Sequence, residues 1–101
     1  MARYTMDNGV IVDTNLAQEH WNEETDWNGN NHISRATGSQ WHHETLYRSK
    51  KGRYYIESTS QMQGSLDSAR WIADKEAAAW LLENEHDLPK DLQDFADEIL
   101  E

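Results

Sequence analysis

Apolar and polar positions alternate at the start of the chain, and Tyr4-Thr5-Met6-Asp7 and Val10-Ile11-Val12 flank Asn8-Gly9. Asn-Gly suits a two-residue type I′ turn because both central positions take positive φ, so the pattern predicts a hairpin. Pairing Asp7 with Val10 would place Tyr4, Met6, Ile11 and Asp13 on one face. Asp13 or Thr14 can then cap a short helix carrying Leu16, Ala17, His20 and Trp21 at helical spacing. Residues 22–40 are polar and turn-rich. They predict a loop with a short strand around 32–36 and Trp27 as anchor.

A second hairpin follows. Trp41 to Arg48 alternates, Ser49-Lys50-Lys51-Gly52 turns with Gly52 in the left-handed region, and Arg53 to Ser58 returns. A polar stretch from Thr59 to Ser68 leads to a short apolar segment at Arg70-Trp71-Ile72. Ala73 or Asp74 opens a helix to about Asn84, with Ala77, Trp80, Leu81 and Asn84 on one face. Pro89 fits the first position of a last helix. There Leu92, Phe95, Ala96 and Ile99 form the buried stripe, and Asp91, Asp94, Glu98 and Glu101 the opposite one. The expected class is α+β: an antiparallel sheet of two hairpins, with two C-terminal helices and a short N-terminal helix packed on one face.

Composition sharpens this picture. The 101 residues suit one domain spanning 1–101. Only 37% are hydrophobic, but five Trp and four Tyr are among them, so the core should be small and aromatic. With no Cys, disulfides, thiol chemistry and Cys-ligated zinc are excluded. No signal-peptide pattern or membrane-spanning run is present, so a soluble cytoplasmic protein is expected, with no membrane partner.

Charge is the most lopsided property. The formal net charge is −10, and residues 74–101 carry ten carboxylates against Lys75 and Lys90. Such a field repels phosphates and draws basic surfaces, so direct nucleic-acid binding is not expected. The candidate contact residues are Glu83, Glu85, Asp87, Asp91, Asp94, Asp97 and Glu98. The plainer account is a solvated face that keeps the protein soluble, although such faces usually mix both signs. Arg48, Lys50, Lys51 and Arg53 form a secondary basic patch at the second hairpin's tip, beside Tyr47, Tyr54 and Tyr55. Cations among aromatics suit single-stranded nucleic acid. Four of them in so acidic a chain fit a solvated turn better, or a contact with the acidic helix of another copy.

Metal and catalytic signals are weak. Asp26, Asn28 and Asn30 imitate the start of a calcium loop, but Asn31 replaces the required Gly and Thr37 the closing Glu. His20 with Glu24, and His42 with Glu44, lack the further converging ligands that zinc needs. No nucleophile, P-loop or zinc-protease motif occurs, so neither a catalytic residue nor a cofactor is expected.

The run Glu44-Thr-Leu-Tyr-Arg-Ser-Lys-Lys-Gly-Arg-Tyr-Tyr-Ile-Glu57, with Trp71-Ile-Ala-Asp-Lys-Glu-Ala-Ala-Ala-Trp-Leu-Leu82 after it, resembles a group of short bacterial proteins of mobile or phage-derived DNA. That group shares an L-Y-R-x-K-x-G-x-Y/F hairpin and an E-A-x-x-W-L helix and has no assigned activity, so the resemblance carries over no catalytic residue. Ser58 to Gly64 departs from the Gly-rich stretch of some members. At the level of class, a small acidic α+β protein is similar to phage anti-CRISPR proteins. The leading expectation is therefore a non-enzymatic inhibitor or adaptor that binds the basic surface of a nucleic-acid-handling protein. The alternatives are a self-associating accessory module, such as a homodimer, or a weak metal-binding protein.

Overall fold

The structure is a computed structural model that describes residues 3–27, 29, 32–34, 37, 42–60 and 67–99. The class is α+β, with antiparallel sheets and C-terminal helices. A four-stranded sheet forms the middle layer. Its strands, in spatial order, are β3 (Glu19–Asn22), β6 (His42–Arg48), β7 (Tyr54–Ser60) and β8 (Ser68–Trp71). Helix α1 (Asp74–Glu83), a 3₁₀ helix (Lys90–Phe95) and α2 (Ala96–Ile99) cover one face. The other face carries the N-terminal hairpin β1 (Arg3–Thr5) and β2 (Ile11–Asp13), a separate two-stranded sheet.

Successive side chains of a strand point to opposite faces, so Tyr54 and Tyr55 divide the core in two. Tyr54, Leu46 and Ile56 pack under Ala77, Ala78, Trp80, Leu81 and Leu92. Tyr55 packs with Met6 and Val12 beneath the hairpin, stacked on Tyr47 at 5.2 Å and edge-on to Trp71 at 5.8 Å. Both tyrosines are essentially inaccessible, which makes β7 the central strand in burial as well as in pairing.

Three expectations change. In the first hairpin Met6, not Asp7, pairs with Val10, because Gly9 alone takes positive φ (83°) and the loop holds three residues. That one-residue shift buries Val12 and leaves Ile11 66% exposed, opposite to the face expected for Ile11. The tip of the second hairpin is built alike: Ser49 pairs with Arg53 around Lys50-Lys51-Gly52, and Gly52 has φ 91°. The expected N-terminal helix is a single 3₁₀ turn, Thr14–Leu16, capped by Asp13 through the Asn15 N–H. His20 and Trp21 lie instead on β3, where Trp21 pairs with Leu46 and packs on the helical core. The polar segment after it contains β4 (Thr25–Trp27) and β5 (His32–Ser34), a small hairpin of its own. The expectations for the Trp27 side chain, Trp41, the calcium-loop residues Asn28, Asn30 and Asn31, and Glu101 fall outside the described residues.

Helix α1 stops where expected, and the last helical segment starts one residue later, with Pro89 before it rather than in it. Asn84 ends α1 and Glu85 follows with φ 63°. The His86 N–H donates to the Leu81 carbonyl and the Glu85 N–H to that of Leu82, which closes a Schellman motif. Pro89 caps the next segment, which is 3₁₀ through Phe95 rather than α-helical throughout.

Candidate functional site

The helical layer presents most of its acids to solvent. Glu83, Asp87, Asp94 and Asp97 are exposed, and none of them makes an ion pair with another described residue. Glu85 is exposed just after α1, and Glu98 reaches Lys75 at 3.8 Å. With buried Leu92 and partly buried Phe95 and Ile99 packed on the core, the acids of this segment occupy its outward side.

Asp91, also exposed, is an acid of the expected stripe whose carboxylate is engaged. Its carboxylate accepts from the Tyr54 hydroxyl at 3.0 Å and lies 3.5 Å from the Arg48 guanidinium, which stands over the Tyr54 ring. Burial, then the hydrogen bond to Asp91, pushes the Tyr54 hydroxyl well above the usual tyrosine range. Arg48 correspondingly leaves the expected basic patch: it points to the helical face and is partly neutralised there. These two charges hold the 3₁₀ helix onto the sheet.

Lys50, Lys51 and Arg53 remain at the hairpin tip without carboxylate partners among the described residues. They help line a cleft of about 510 Å³ on the hairpin side of the sheet. Arg53 lies over the Trp71 ring, 4.0 Å from its centroid. The acidic layer and the basic tip thus sit on opposite sides of the middle sheet.

Buried polar contacts join the layers. Asn84, 1% exposed, donates to the Trp80 carbonyl and accepts from the Glu24 N–H at 2.9 Å. The Trp80 indole N–H donates to Glu44 at 3.1 Å, and the His86 ring meets the Asn22 carbonyl at 2.6 Å. Glu23 accepts from the Glu44 N–H and meets the His43 ring at 3.1 Å. On the hairpin side Glu57 accepts from the hydroxyls of Tyr4 at 2.5 Å and Tyr47 at 3.4 Å. Burial and this carboxylate raise both hydroxyls' pKa values.

His43 therefore works with Glu23, and among the described residues no group of three or more His, Cys, Asp or Glu could hold a metal ion. No described helix is long and apolar enough to cross a membrane. The cleft was not expected from the sequence. One signal for it was available: Val10-Ile11-Val12 and Leu16 give more apolar side chains than one hairpin face can bury. No protein-family model matches the chain, and no curated protein or solved structure matches it significantly.

Proposed function

We propose that this protein is a non-enzymatic binding module whose acidic helical layer docks on a basic surface of a nucleic-acid-handling protein, most sharply as an anti-CRISPR-type inhibitor. The observation that carries the reading is the set of exposed, unpaired carboxylates Glu83, Asp87, Asp94 and Asp97 on one layer. Carboxylates on a packed layer can occupy Lys/Arg sites that otherwise hold phosphates, and electrostatic attraction speeds encounter with such a surface. Asp91, exposed but tied to Tyr54 and Arg48, brings less free charge to the contact than these four.

The test is recovery of the partner from the native cell with the full chain, after nuclease treatment, followed by titration of the purified pair. The expected partner binds nucleic acid, loses affinity steeply as salt rises, and is displaced by DNA. Reversing Glu83, Asp87, Asp94 and Asp97 to Lys abolishes the complex while the circular-dichroism spectrum stays native. Unchanged affinity of the reversed variant, or binding insensitive to salt, rejects the proposal.

A further inference from the structure

The cleft on the hairpin side is built unlike the rest of the surface. Val10, Ile11 and Leu16 are 45%, 66% and 58% exposed, the large hydrophobic side chains left exposed among the described residues, and all three line it. Trp71 adds an aromatic wall. Exposed apolar side chains gathered at one concavity, rather than scattered singly, mark a binding site.

The polar groups converge on one charge sign. Lys50, Lys51 and Arg53 line the cleft and make no ion pair among the described residues. The carboxylate that lines it with them, Asp13, is already engaged: it accepts from the Asn15 N–H at 2.9 Å and the Arg3 guanidinium at 3.1 Å. Those two contacts, the Asn15 bond first, hold the Asp13 carboxyl below its ordinary range. Stacking on Trp71 fixes the Arg53 guanidinium plane and leaves its N–H edge able to donate.

Beneath the cleft lies an unpartnered donor. Tyr55 lines it, is 0% exposed, and its hydroxyl has no hydrogen-bond partner. Buried hydroxyls are normally satisfied, so Tyr55 leaves one donor unused beneath the cleft, closed off from solvent.

We infer that this cleft binds a small amphipathic carboxylate: the chain lies along Val10, Ile11, Leu16 and Trp71, and the head group meets Lys50, Lys51 and Arg53. The net negative charge does not forbid this. The exposed acids of the helical layer lie across the sheet from the cleft, and salt screens them over a Debye length of about 8 Å. The site is independent of the acidic layer, and either can fail without the other.

Decanoate is the probe, titrated into the full chain and followed by amide and methyl NMR shifts, with decanol, acetate and decylamine as controls. The expected result is saturable shifts confined to residues 10–16, 49–55 and 71. Decanol should bind at least tenfold more weakly, and acetate and decylamine should leave those signals unmoved. The variant K50Q/K51Q/R53Q, at solvent-facing positions, should keep its fold and lose at least tenfold in decanoate affinity. No saturable shift with decanoate, equal binding of decanol, or full affinity in the triple variant overturns the inference. So do shifts of the same signals with protein concentration alone, which would mean that a second copy fills the cleft.

Discussion

Every tyrosine in this chain is held neutral by its surroundings. Burial raises the pKa of Tyr4, Tyr47, Tyr54 and Tyr55, and Glu57 or Asp91 adds to it. A tyrosine whose pKa is higher folded than unfolded binds its proton more tightly in the native state. Its contribution is complete below the unfolded value of about 10 and is lost as pH rises through the folded one. Stability should therefore fall above about pH 10, and tyrosinate absorbance should appear together with loss of ellipticity rather than before it. Four independent titrations in a still-folded protein would contradict this. Asp91 offers a second check. Asp91→Ala removes the acceptor of Tyr54 and the partner of Arg48 and should destabilise by about 1–3 kcal/mol in a urea melt. Asp94→Ala, at a solvent-facing position, should change stability by less than about 0.5 kcal/mol.

At the scale of elements, the turns decide where side chains go. Gly52 has φ 91°, a conformation that a Cβ makes costly, so Gly52→Ala should destabilise the second hairpin by about 1–2 kcal/mol. Glu85 occupies the corresponding left-handed position after α1 with no such freedom. Glu85→Gly should raise stability by about 0.5–1 kcal/mol, the relief of the Cβ clash offset in part by the entropy of the unfolded glycine. Thermal melts of the two variants should move in opposite directions. Both hairpins were legible from their Asn-Gly and Lys-Gly turns, and α1 from Ala77, Trp80 and Leu81. The register of the first hairpin was not. Val10, Ile11 and Val12 are all apolar, so alternation cannot choose between burying Ile11 and burying Val12; the three-residue loop chooses. His20 and Trp21 fitted a helical spacing too short to exclude a strand. Pairing with Tyr47 and Leu46 on β6 made them one.

At the scale of the whole molecule, three layers separate charge. The helical layer carries the excess of acids, the hairpin side holds Lys50, Lys51 and Arg53, and the sheet lies between. Acids crowded on one layer repel each other, and this opposes the compact state. Stability should consequently rise as sodium chloride goes from about 0.01 to 0.15 M, by about 1 kcal/mol, or roughly 4–8 °C in Tm for a domain of this size. A flat or falling Tm would show that the exposed carboxylates do not repel one another appreciably.

Local signals in the chain determined the α+β class, the two main hairpins, α1 and the bias of carboxylates toward the C-terminal third, because turn chemistry, periodicity and composition act between near neighbours. Only the tertiary structure decided which charges remain available. Asp91 meets Tyr54 and Arg48 across some forty residues of chain and is partly neutralised, while Asp13 turns to Arg3 and leaves the cleft cationic. The cleft itself arises where two hairpins from distant parts of the chain come together. Its walls are residues that no local pattern connects, and packing alone could place them side by side.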